Sequence, residues 1–127
     1  MMTKQQYICF FQFSAVFNAA VALTLLFAAD LFIDIIELGA YTSQPIFMHL
    51  FAIVVLAFGG LYYYISKNIE TSRVAINFGM YAKLGVVAVC VIDTLLGLTV
   101  WTINIPAFVD LICAIIFYRA LKSEHVN

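Results

Sequence analysis

The chain has 127 residues, 65% of them hydrophobic and only 10% charged, with a formal net charge of −1 and a mean hydropathy of +1.07. A soluble domain carries about 25% charged residues, so this composition excludes one. It also leaves no basic patch with which to bind nucleic acid.

Four stretches are long and apolar enough to cross a hydrocarbon core, which needs about 20 residues of helix. They run approximately over 7–29, 46–66, 74–100 and 103–121. Backbone amides find no water in lipid, so each stretch must close its own hydrogen bonds as a helix. Transmembrane strands would alternate strictly over about ten residues, and Ala52-Ile53-Val54-Val55-Leu56-Ala57-Phe58 does not alternate. The expected fold class is all-α: one integral membrane domain over 1–127, folded as a four-helix bundle.

The first span follows Lys4 and ends near Ala28-Ala29, an arrangement that imitates a signal peptide. Gln12 and Asn18 interrupt a run longer than an h-region, so it reads as a retained span. The first connection, Asp30 to Pro45, carries Asp30, Asp34 and Glu37 with no Lys or Arg. Within it, Leu31 to Ile36 either continues the first helix or lies along the interface. The second span carries His49, Gly59-Gly60 and the run Tyr62-Tyr63-Tyr64 just before Lys67, which is suited to an interfacial aromatic belt. The second connection holds Lys67 and Arg73, and the third, around Trp101 to Asn104, holds no charge. With Arg119 and Lys122 at the end of the chain, five of the six Lys and Arg residues fall on one side. The positive-inside tendency makes that side cytoplasmic, with both termini inside. Short second and third connections make spans two, three and four successive antiparallel neighbours.

The sixth cation is Lys83, inside the third span. It lies ten residues inward of Arg73, while Asp110 in the fourth span lies nine residues before Arg119. At about 1.5 Å per helical residue both sit roughly 15 Å from the basic end, which makes an interhelical ion pair natural. Charge in a bilayer is paired or directed to a cavity. Such a pair either fixes helix register or marks a working site. His49 and Asp93 form a second polar layer of similar depth nearer the acidic end, either as a hydrogen-bonded, proton-sensitive pair between spans two and three or with His49 only hydrogen-bonding at the wet interface, and Asn18 is placed to face the same interior. The candidate intramembrane polar site is therefore Lys83, Asp110, Asp93, His49 and Asn18. Small residues indicate where backbones approach: Gly79, Lys83, Val86, Cys90, Thr94 and Gly97 form one stripe on the third span, opposed by Ala107, Asp110, Cys113 and Ala114 on the fourth. Ala15-x-x-x-Ala19 and Ala75-x-x-x-Gly79 permit close helix contact, and Gly59-Gly60 is either a packing notch or a cavity wall.

Cys9, Cys90 and Cys113 are odd in number, lie within spans and form no C-x-x-C, so they read as packing residues and not as a disulfide framework or zinc site. His49 and His125 alone assemble no metal cluster or haem ligand pair. No phosphate loop or nucleophile elbow is present.

Ala82-Lys83-Leu84-Gly85, Asp93, Leu96-Gly97, Trp101, Pro106 to Ile112 and Tyr118-Arg119-Ala120-Leu121 together resemble the second half of small four-span bacterial membrane proteins related to the DoxX-like group. The resemblance covers about the last 55 residues. It implies a multi-pass protein of the bacterial inner membrane. Some members of the wider group are accessory subunits of quinone-linked sulfur oxidation, but the resemblance transfers no catalytic residue to this chain. Nothing in the residues demands turnover. The leading expectation is a non-enzymatic membrane subunit or a binder of an apolar molecule such as lipid or quinone, without a predicted cofactor and with a homo-oligomer or a membrane subunit as partner. The alternatives are an oligomeric channel or proton-coupled transporter, and a quinone-linked redox-enzyme subunit.

Overall fold

The computed structural model describes residues 2–36 and 45–126. Five α-helices and two short 3-10 helices make up the described residues, with no strand among them. Four of the helices are long and apolar enough to span a membrane. Glu37, counted in the acidic connection, lies outside the described residues.

Helix α1 (Lys4–Phe27) opens on a capping box. The Gln6 amide N–H donates to Thr3 Oγ1 at 3.3 Å, and the Thr3 N–H donates to the Gln6 side chain at 2.8 Å, satisfying two of the amides that a helix start leaves free. The helix ends at Phe27, two residues before the expected end, where Ala28 breaks it (φ −145°, ψ 47°), and a separate short helix α2 (Ala29–Ile35) follows. Ile33 and Ile36 are buried while Asp30 and Asp34 are exposed. Leu31 and Ile35 are exposed as well, so the segment after the first span is a short helix of its own that buries mainly Ile33. Helix α3 (Pro45–Lys67) leads through a 3-10 turn at Ile69–Thr71 into α4 (Arg73–Leu95).

The third span is shorter than the sequence implied. Helix α4 stops at Leu95, because Gly97 turns the chain at φ +71°. The Leu98 N–H donates to the Asp93 carbonyl at 2.8 Å and the Gly97 N–H to the Thr94 carbonyl at 3.1 Å. This is the Schellman arrangement that ends helices at a left-handed glycine. A 3-10 turn at Trp101–Ile103 then starts α5 (Asn104–Leu121). Asn104 Nδ2 donates to Thr94 Oγ1 at 2.8 Å and to the Trp101 carbonyl at 3.0 Å, closing that turn.

Of the two expected neighbour pairs, α4 beside α5 is formed and α3 beside α4 is not. The two intimate pairs are α1 with α3 and α4 with α5, whereas α3 and α4 meet only thinly. At the first crossing, a Cβ on Gly59 would lie 3.2 Å from the Ala15 carbonyl oxygen and 3.5 Å from the Ala19 nitrogen. Gly59 is therefore a packing notch that receives the Ala15/Ala19 edge of α1, and Gly60 faces open space. In lipid, where apolar surface gains nothing by hiding from its solvent, such close backbone packing is a principal source of helix association.

The two hairpins are joined by aromatic rings in one half of the bundle. Phe117 of α5 lies 4.9 Å from Phe11 of α1 and 5.2 Å from Tyr62 of α3, between ring centroids. Gly79 makes room for this cluster, since a Cβ there would lie 3.0 Å from Tyr62 Cε1 and 3.1 Å from Phe117 Cε2. Below it, at the end carrying most of the cations, Lys4 pairs with Glu70. The Arg73 guanidinium donates to the Leu121 carbonyl at 3.2 Å and the Val126 carbonyl at 3.5 Å. These bonds place the start of α1, the α3–α4 junction and the end of α5 together. At the other end, Thr102 Oγ1 donates to the Ile36 carbonyl and ties α2 to the α4–α5 turn.

Candidate functional site

Above the aromatic cluster the bundle is hollow. A cavity of about 290 Å³ lies between the two hairpins, with walls from all four spanning helices and from Phe32 of α2. Its wall combines the rings of Phe17, Phe32, Phe51 and Phe58 with small residues on α4 and α5. Ala82, Cys90 and Ala107 leave volume where longer side chains would fill it. Val54 on α3 and Val86 on α4 are among the exposed members of the lining. Phe17 and Phe51 are exposed as well, so the cavity is partly open to what surrounds the bundle.

The polar floor is built on α4 and α5. The Lys83 ammonium donates to Asp110 Oδ1. The Lys83 side chain is 7% exposed and that of Asp110 23%, so the carboxylate is the more accessible partner. The ammonium also lies 5.3 Å from the centroid of the Tyr62 ring, within cation–π range. Lys83 is thus held by a carboxylate from its hairpin partner and by the ring of a residue from the other hairpin. Both contacts offset part of the cost of taking the amine out of water.

Asn18 also lines the cavity, from α1. Its amide Nδ2 donates to the Val55 carbonyl at 3.3 Å. Among the described residues no donor is bonded to the side-chain carbonyl oxygen of Asn18. Behind the floor, the buried Ser14 hydroxyl lies beside the buried Cys113 thiol.

His49 and Asp93 are not brought into this constellation. His49 is exposed and Asp93 only half-buried, and neither lines the cavity. No ion pair joins them among the described residues, where Lys4–Glu70 and Lys83–Asp110 are the pairs formed. The reason is architectural: a His49–Asp93 contact requires α3 and α4 to pack as neighbours along their length, and α3 packs on α1 instead. Asp93 contributes its backbone carbonyl to the helix stop at Gly97.

Tyr62 was overlooked by sequence reasoning. It is 1% exposed, whereas Tyr63 and Tyr64 are each 55% exposed, so the tyrosine run divides into one interior residue and two outer ones. A signal was present: Ala52, Gly59 and Ser66 recur every seven residues and are all buried, and Tyr62 lies on the helix face they mark.

Among the described residues no group of three or more His, Cys, Asp or Glu side chains is placed to hold a metal ion. Comparisons with protein families, with curated proteins and with solved structures find no match.

Proposed function

We propose that this chain is a small multi-pass protein of the bacterial inner membrane, with both termini cytoplasmic, which binds an apolar molecule of the lipid or quinone class and performs no chemistry on it. The observation that carries this reading is the cavity between the hairpins: apolar walls, lining residues such as Val54 and Val86 that are also exposed, and a Lys83–Asp110 floor. Its volume of about 290 Å³ is close to the lower bound of small-molecule pockets, ~300 Å³. Apolar walls with a few convergent polar groups are the usual make-up of such pockets. In a bilayer the exposed Val54 and Val86 face hydrocarbon, so a mouth between them would admit a lipid-soluble molecule without its crossing water. The placement of five of the six cations on one side supports the cytoplasmic assignment of the ends.

The test is mass spectrometry of the protein purified in a mild detergent. Wild type is expected to retain a lipid-soluble molecule, and Val86→Trp, which fills the mouth from an exposed position, is expected to lose it while remaining helical. Equal retention by both would contradict the reading.

A further inference from the structure

The proposed binding cavity has a definite charge rule. We infer that its occupant is a neutral amphiphile whose head carries a hydroxyl group, and that the cavity rejects amphiphiles with a charged head. The inference rests on the binding reading above and specifies its ligand class.

Net charge comes first. Lys83 and Asp110 neutralise one another at the floor, and the remaining polar side chains of the lining, Asn18 and Tyr62 among them, carry no charge. An anionic head would need a cation that Asp110 already occupies. A cationic head would need a carboxylate that Lys83 already holds. Either would enter as an uncompensated charge about halfway through a bilayer, where such a charge is strongly disfavoured. A charged head also has a better place to be, at the interface.

Hydrogen-bond capacity then selects among neutral heads. The ammonium of Lys83 has three protons. One is donated to Asp110, and one face of the group lies toward the Tyr62 ring, which leaves donor capacity. The Asp110 carboxylate has acceptor capacity beyond the Lys83 bond and is the more exposed partner. Asn18 adds a carbonyl oxygen, its amide being directed to Val55. A floor offering both acceptors and a donor matches a hydroxyl, which both donates and accepts. The apolar body of the ligand would extend along Val86 and Val54 toward the gap between α3 and α4.

The experiment uses the full-length protein in phosphatidylcholine vesicles with three photoreactive probes of equal chain length: dodecanol, dodecyl sulfonate and dodecyl trimethylammonium, each bearing a diazirine at the chain end. Labelled peptides are mapped by mass spectrometry. The dodecanol probe is expected to label the segments containing Val54 and Val86 at least ~10-fold more than either charged probe, the ratio that corresponds to a difference of about 1.4 kcal/mol. In Asp110→Asn the floor becomes cationic, and the sulfonate probe is expected to overtake the alcohol. Equal cavity labelling by all three probes, or preference for a charged one, would overturn the charge rule while leaving the binding reading standing. Absence of cavity labelling by any probe would overturn both. The wild-type comparison decides the matter alone should Asp110→Asn fail to fold.

Discussion

At the scale of single residues, the Lys83–Asp110 contact is the point where composition, depth and packing meet. Removing either partner strands a charge in the bundle interior, whereas removing both removes the cost along with the attraction. Lys83→Met and Asp110→Leu should each destabilise the protein by about 3 kcal/mol, and the double variant should return to within ~1 kcal/mol of wild type. Reversible unfolding in mixed detergent micelles measures this, and simple additivity of the two losses would rule out the coupling. Gly79 and Gly85 provide a second comparison. A methyl at Gly79 meets the rings of Tyr62 and Phe117, while one at Gly85 meets nothing within 4 Å. Gly79→Ala should therefore lower stability by about 1 kcal/mol, as overpacking does, and Gly85→Ala should be neutral or slightly stabilising in the same assay. The ion pair was legible in the sequence because Arg73 and Arg119 serve as depth markers from which helical rise can be counted. Tyr62 was not, since three consecutive tyrosines read as an interfacial belt until the phase of α3 separates one from the other two.

At the scale of elements, helix ends and helix partners obey different rules. The stop of α4 depends on a residue in left-handed conformation at position 97, which costs a residue with a Cβ about 1–2 kcal/mol. Gly97→Ala should destabilise by that amount without altering the cavity, as thermal unfolding followed by circular dichroism would show. An apolar run conceals such a stop, because Leu96 to Val100 is as hydrophobic as a helix. Partner choice was misjudged for a related reason: connection length favoured α3 beside α4, yet the glycine notch at Gly59 and the small edge Ala15/Ala19 draw α1 onto α3. Small residues, more than loop length, decide contact where lipid competes for every apolar surface. At the basic end, the Lys4 ammonium bonds to Glu70 and holds its carboxyl below the usual carboxylate range. A depressed carboxyl contributes stability above its unfolded pKa and loses it as pH falls through the lower folded value. Both groups are exposed and screened by salt, so the contribution is small. Glu70→Gln should abolish this acid-side change in melting temperature at low ionic strength; an unchanged acid dependence would show that the contact is idle.

At the scale of the whole molecule, the bundle divides into a packed half and a hollow half. Rings at Phe11, Tyr62 and Phe117 fill the first, and small side chains on α4 and α5 leave the second open. The spans and their apolar character could be read from composition alone. The void could not, because it belongs to the separation of two hairpins and to no one residue. The common end shared by α1, the α3–α4 junction and α5 follows from the Lys4–Glu70 and Arg73 contacts. Fluorescent-protein fusions that mature only in the cytoplasm should therefore report the same side at either terminus, and fluorescence from one terminus alone would break the arrangement. The most direct measurement is an experimental structure of the protein in lipid nanodiscs. It should show elongated non-protein density running from the gap between Val54 and Val86 to the Asp110 carboxylate. An interior in which the hairpins close on one another and side chains occupy that volume would contradict the account.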